Sequence, residues 1–195
     1  MKKDLSMLSM IIIFIALVVV VNQSINPSNT YSKVRYGMGS WPIKYNSLRE
    51  LTISSNVDVI VIGVIMNAES YEEKAIDASE AHLICTKYSF KVQCVLKGPQ
   101  DLDVIEIHQT GGTINGETLI LLDDPPMHVD DVLILFLHEW EPSKYYIEGG
   151  PQGRFVVKDG KVYSLGEIEH SAEALTSHLK TNGILLNQFI KSIVS

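Results

Sequence analysis

Val57 to Met66 reads VDVIVIGVIM, a run too short and too rich in Val and Ile for a surface helix, so it predicts a first strand. Gly63 in its middle marks a bulge or a bend. Thr86 to Leu96 alternates, with Tyr88, Phe90, Val92, Cys94 and Leu96 on one side and Lys87, Ser89, Lys91 and Gln93 on the other. Lys97-Gly98-Pro99 stops that strand. Between the two, Asn67 to Glu80 holds five acids and one Lys with no periodic apolar face, the pattern of a solvated connection.

The alternation returns at Val104 to Gln109 and ends at Gly111-Gly112. Leu119 to Leu122, Val132 to Trp140 and Tyr145 to Ile147 predict three more strands, the first two separated by Pro125-Pro126, which cannot donate to a ladder. Asp159-Gly160, between Arg154–Lys158 and Lys161–Leu165, carries the signature of a two-residue type I′ hairpin. Helical spacing is confined to the ends. Ser47-Leu48-Arg49-Glu50 has the form of a capping box before a short helix to Ser54. Ala172 to Lys180 and the Leu185, Leu186, Phe189, Ile190 and Ile193 series predict helices near the C-terminus. Many short antiparallel-type strands with terminal helices predict a mainly β fold, a small OB-like Greek-key β-barrel with one β-hairpin; a sandwich is the competing arrangement.

The N-terminus has a different pattern. Lys2 and Lys3 precede Met10–Val21, twelve residues without a polar side chain, and the apolar stretch reaches back to Leu5. A positive start before such a run is the form of an export signal, and residues 5–21 are at the lower limit of a membrane span. Asn22-Gln23-Ser24-Ile25 offers no small-x-small cleavage site, which favours an uncleaved anchor over a cleaved signal peptide. The positive-inside rule then places the remainder outside the cytoplasm, either tethered to the cell membrane or secreted. The expected organisation is a signal peptide or transmembrane anchor over 1–21, a linker over 22–46 and an extracytoplasmic barrel over 47–195.

Sixteen Lys and Arg against 23 Asp and Glu give a net charge of −7, which argues against nucleic acid as a partner. Cys85 and Cys94 are the two cysteines. On one extended strand they lie roughly 30 Å apart at about 3.3 Å per residue and point to opposite faces, so two unpaired thiols are expected, with Cys94 packed as a small apolar residue.

No catalytic signature stands out. Asp123 to Asp131 gathers four carboxylates and His128, but the alternating spacing and turn glycine of a calcium loop are missing. The six histidines form no H-x-H or H-E-x-x-H motif. No Ser lies in a G-x-S-x-G elbow, and the glycines at 149, 150 and 153 precede a strand, not the helix a phosphate cradle needs. An enzyme is disfavoured; no catalytic residue, metal or cofactor is expected. A metal-dependent hydrolase using the 123–131 acids with His128 or His138 is kept as an alternative. The most specific stretch is Glu148-Gly149-Gly150-Pro151-Gln152-Gly153-Arg154-Phe155. Gly149, Gly150, Gln152, Gly153 and Arg154 are candidate contacts for an extracytoplasmic protein or envelope component. The other reading is a sharp turn at the barrel edge that sends Phe155 into the core.

Ser47–Leu51, Asn56–Gly63, Tyr88–Val92, Val95–Gly98, Gly111-Gly112, Leu135–Leu137 and Gly149–Phe155 together resemble a group of uncharacterised exported bacterial proteins with a GGPQGRF-type segment. The first two strands are also similar to the OB-type barrel of tissue inhibitors of metalloproteinases and netrin-like modules. That resemblance implies a barrel and a protein-binding habit, including a protease-inhibitor-like module as an alternative, with Asn67 to Glu80 as a candidate contact. Those inhibitors place an N-terminal Cys on the catalytic zinc; this chain has no Cys before Cys85, so that route does not carry over.

Overall fold

Buried residues on both faces account for the unbroken apolar run of the first long strand. In the computed structural model, which describes residues 33–74, 82–165 and 183–194 with backbone alone at Lys74, Val59, Val61 and Ile65 face one core while Ile60 and Ile62 face another. A strand covered on both sides gains by being apolar at every position, which removes the period-2 signal.

In chain order the elements are β1 (Lys33–Gly37), α1 (Leu48–Ile53), β2 (Val59–Lys74), β3 (His82–Lys97), β4 (Val104–Thr110), β5 (Gly112–Ile114), β6 (Glu117–Leu121), β7 (Val132–Glu141) and β8 (Lys144–Ile147). A 3₁₀ turn over Gly150–Gly153, β9 (Arg154–Lys158), β10 (Lys161–Ser164), β11 (Ile184–Leu185) and α2 (Leu186–Val194) complete them. The fold is mainly β, built on one large sheet with short helices. β2 pairs antiparallel with β3, β3 with β4, β4 runs parallel to β8, and β7 pairs antiparallel with both β8 and β2. The β4–β8 seam is only three register pairs long, so the ring is lightly stitched there. β9, β10 and β11 extend the sheet beyond β7, and β1, β6 and β5 form a separate three-stranded sheet.

The ring encloses Tyr88, Phe90, Ile105, Ile107, Leu133, Leu135, Leu137 and Tyr145. On the other face of β2, β7 and β9, Phe136, Phe155 and Phe189 pack with Leu48 and Leu51 of α1 and Ile193 of α2. Phe155 stacks at 5.5 Å from Phe136 and 4.8 Å from Phe189, so it enters the core and joins the barrel wall to α2. Each such buried side chain contributes about 1.5–3 kcal/mol.

The hairpin at Asp159-Gly160 forms with φ of 52° and 71°, as a type I′ turn requires. The helix cap differs in one detail: Ser47 Oγ accepts the Glu50 N–H at 3.1 Å, but the Glu50 carboxylate reaches Asn46 N–H at 2.8 Å rather than the cap's own amide. Three expectations are corrected. Residues 67–74 continue β2 instead of forming a loop, because cross-strand pairs such as Glu69 with Lys87 at 3.1 Å satisfy charged side chains on an exposed ribbon. β1 and the buried Tyr45 lie within the segment expected as a linker, and the compact unit begins at Lys33. Cys94 is exposed, not packed: the register passes from Val92 opposite Gly63 to Cys94 opposite Ile62, and the extra residue flips the side chains beyond it. Both thiols are free.

Among the described residues no helix is long and apolar enough to cross a membrane. Residues 1–32, which include the 5–21 apolar stretch, and the helix expected over 172–180 lie outside the described residues.

Candidate functional site

The glycine-rich segment folds inward. Gly149 and Gly150 both take left-handed backbone, with φ of 66° and 57°. This brings the chain under the indole of Trp41: a Cβ on Gly150 would lie 2.5 Å from two ring carbons. Gly153 is equally constrained, its missing Cβ falling 2.2 Å from the Glu148 carbonyl oxygen. Gln152 then presents its carboxamide to the Tyr45 backbone, accepting from the N–H and donating to the C=O, both at 2.9 Å. The Tyr45 hydroxyl donates to Glu148 Oε1 at 2.6 Å.

The same strap, residues 39–45, is held at its other end by Asp123. That carboxylate accepts from Gly39 N–H at 2.8 Å and from Trp41 Nε1–H at 3.0 Å. Burial works against the Asp123 charge, and these two donors outweigh it, so its carboxyl is held below the usual range.

Arg154 is 1% exposed and points into the ring. Its Nη2 donates to the Pro125 carbonyl at 2.7 Å and lies 3.0 Å from Asp124 Oδ1, a close approach of charges without the alignment of a hydrogen bond. Desolvation pushes the Asp124 carboxyl up and the Arg154 guanidinium down, each opposed by the other's charge. Gln109 donates to the carbonyls of Asp124 and Pro125 at 3.2 and 3.1 Å. Four of the five sequence candidates, Gly150, Gln152, Gly153 and Arg154, are therefore buried with partners inside the molecule, and Gly149 is partly covered.

The acidic 123–131 loop is also engaged internally. Asp123 holds the strap, Asp124 pairs with Arg154, and Asp131 Oδ2 accepts the His128 N–H at 2.8 Å. Among the described residues no three His, Cys, Asp or Glu side chains gather as a metal site. His128 and His138 are not brought together: His138 Nδ1 donates to Asn56 O at 3.0 Å and lies 2.9 Å from Asp58 Oδ2, while His128 is exposed beside Asp131.

What the sequence did not single out is an outward row of rings across the β4–β8–β7 seam. Tyr71 meets His108 edge-on at 5.7 Å, His108 meets Trp140 at 4.8 Å, Trp140 meets Tyr146 at 6.2 Å, and Tyr146 meets His138 at 4.9 Å. Register explains the convergence. His108 and His138 both oppose Tyr146, and a bulge between Glu139 and Glu141 swings Trp140 over the row. Trp140 is 44% and Tyr146 37% exposed. The residues come from four strands and from positions 71, 108, 138, 140 and 146, so no local motif marks them; the one available signal was aromatic residues on the outward positions of β7 and β8.

His108 is fixed at both nitrogens, by Tyr71 hydroxyl at Nδ1 and Glu106 at Nε2, each at 2.7 Å. A carboxylate only accepts, so Nε2 carries a proton towards Glu106, and in the neutral tautomer that follows Nδ1 accepts from the Tyr71 hydroxyl. This chain of Tyr, His and Glu resembles an activated nucleophile in connectivity alone. Burial, reinforced by the nearby Cys85 and Glu73, pushes the Tyr71 phenol up, which is opposite to activation.

Beside the row, a cavity of about 310 Å³ opens between Tyr146 and His138 on one side and Trp41, Pro42 and Ile43 of the strap on the other, with Glu148 in its lining. No protein-family model, curated protein or solved structure matches the chain.

Proposed function

We propose that this chain is a non-catalytic binding module that works outside the cytoplasm, tethered to the membrane or secreted, and that it meets an extracytoplasmic protein or envelope component through the ring row of Tyr71, His108, Trp140, Tyr146 and His138. The observation that carries the reading is the partly exposed Trp140–Tyr146 pair beside the groove, on an OB-like scaffold. Large amphipathic rings fixed by their neighbours give contact area at low entropic cost, and such residues dominate interface energetics. Hydrogen bonds between Tyr71 and His108 at one end and from His138 to the Asn56 carbonyl at the other fix the rings, which is the pre-organisation a contact surface needs. Export is supported by Lys2, Lys3 and the apolar run over 5–21.

A protease-inhibitor-like module is the second reading, favoured by the β2–β3 ribbon. Beyond Val64, β2 pairs in its ladder with β3 alone and runs on to Lys74. The two readings place the contact differently. Crosslinking in intact cells, followed by capture of the full-length chain and mass spectrometry, separates them. A Trp140→Ala/Tyr146→Ala double variant that loses the wild-type partner supports the ring row. Retained capture, with loss of the partner on Glu69→Ala/Glu72→Ala instead, moves the contact to the ribbon.

A further inference from the structure

The groove beside the ring row has a definite chemical character. Trp41, Tyr146 and His138 are the aromatic residues among its lining, and none of its described lining residues is Lys or Arg. Glu148, in the same lining, is 5% exposed, and its Oε1 is fixed by the Tyr45 hydroxyl at 2.6 Å. Among the described residues no Lys or Arg forms an ion pair with Glu148. A buried carboxylate whose contact is a neutral hydroxyl lacks the cation that normally offsets its desolvation.

A second carboxylate stands close by. Asp58 Oδ2 lies 2.9 Å from His138 Nδ1, and the fields of Glu148 and Asp58 both act on the Tyr146 phenol, which burial has already pushed up. Ring faces carry negative potential, which attracts a cation placed over Trp or Tyr. Lys144, two residues before Tyr146 on β8, binds Glu141 at 2.9 Å, and Lys87, opposite His108 in the β3–β4 ladder, binds Glu69 at 3.1 Å. A chain of net charge −7 adds a long-range attraction for positive groups.

We infer that the groove between Trp41 and Tyr146, with Glu148 in its lining, is a binding site for an organic cation, carried as the Lys or Arg side chain of the partner protein. The inference rests on the binding-module reading and names the chemistry that reading leaves open. A neutral sugar or an anionic group would leave the Glu148 carboxylate uncompensated. The ammonium or guanidinium sits between the rings, and the apolar stem lies along Pro42 and Ile43.

The chain has two tryptophans, Trp41 in the groove and Trp140 on the adjoining row, so intrinsic fluorescence reports occupancy directly. Full-length protein in neutral detergent is titrated with an N-acetylated, C-amidated Gly-Gly-Lys-Gly-Gly peptide, its Gln counterpart, choline, and 3,3-dimethylbutanol as the neutral isostere of choline. The expected result is saturable quenching by the Lys peptide, absent with the Gln peptide and the alcohol. Glu148→Gln keeps an oxygen for the Tyr45 hydroxyl and should weaken the Lys peptide about tenfold with an unchanged melting temperature. Tyr146→Ala should weaken it by a similar factor.

Equal binding of the Lys and Gln peptides, or of choline and its isostere, overturns the cation site. Tighter binding of choline than of the peptide overturns the protein-borne source. The same variants are carried into the in-cell crosslinking. A partner lost from Trp140→Ala/Tyr146→Ala but kept by Glu148→Gln, with no peptide binding, sinks the cation inference and leaves the module standing. Absence of any partner on the wild-type chain removes the module reading itself.

Discussion

The side-chain amide of Gln152 binds both the N–H and the C=O of Tyr45, 107 positions away in the chain, with two bonds of 2.9 Å. A single carboxamide thus does for the strap what a neighbouring strand does for a sheet: it pairs one residue's donor and acceptor together. Glu148 adds the Tyr45 hydroxyl and Asp123 adds Gly39 and Trp41, so the strap is fastened at three points. This fastening holds the strap that carries Trp41, Pro42 and Ile43 of the groove lining.

Gln152→Ala should therefore loosen the strap. Two buried hydrogen bonds are lost and the Tyr45 amide and carbonyl are stranded, a cost of about 2–4 kcal/mol. Urea unfolding gives the energy, and a red shift of Trp41 emission in a Trp140→Phe background shows whether the strap detaches. Wild-type stability and emission would contradict the fastening.

Gly153→Ala should be destabilised by more than about 2 kcal/mol, because its Cβ would meet a backbone oxygen and not a movable side chain. Gly160→Ala serves as the comparison, since nothing lies within 4 Å there and its cost comes only from its φ of 71°. Equal midpoints for the two variants would show that the Glu148 carbonyl yields.

Arg154→Ala leaves the buried Asp124 carboxyl without its cationic partner, and should cost about 3–5 kcal/mol. The double variant Arg154→Met/Asp124→Asn should recover most of that loss. A cost within about 0.5 kcal/mol, the range of a surface change, would put Arg154 outside the barrel interior.

Asp123 gives a pH signature. Its folded carboxyl is held below the ordinary value of 3.8, so the unfolded chain takes up the proton first as pH falls. Its stabilising contribution is full above 3.8 and is lost as pH falls through the lower folded value. Asp123→Asn should remove that component of the acid transition and leave the neutral region flat.

The cysteines should differ in reactivity. Burial, with the Glu73 carboxylate, pushes the Cys85 thiol up to about 11, while Cys94 is exposed on the same strand. Iodoacetamide at pH 8 should label Cys94 in the folded chain and reach Cys85 only after denaturation. Equal labelling of both without denaturant would contradict the placement of β3.

Strands with one buried face were legible in the sequence, as β4 and the central part of β3 follow their alternation, and the β9–β10 hairpin was legible from its Asp159-Gly160 turn. The acidic ribbon was not, because both of its faces meet water and charge pairs replace apolar periodicity there. β1 is short and exposed, and its parallel pairing with β6 depends on residues some 80 positions away, which no local pattern encodes. The Gly149–Phe155 segment was recognisable as special, yet its glycines and Gln152 were equally compatible with an outward contact; only Trp41 and Tyr45 lying against them shows what they receive. The ring row depends on register across three strands and on one bulge, and so becomes visible only when the ring of strands forms.

The most direct measurement of the contact surface is photo-crosslinking in intact cells, with a benzoylphenylalanine placed at Tyr146 in one full-length variant and at the exposed Lys158 in another. Tyr146 should give a discrete adduct under irradiation and Lys158 should give none. An adduct from position 158 with none from 146 would contradict a contact surface built on the Trp140–Tyr146 row.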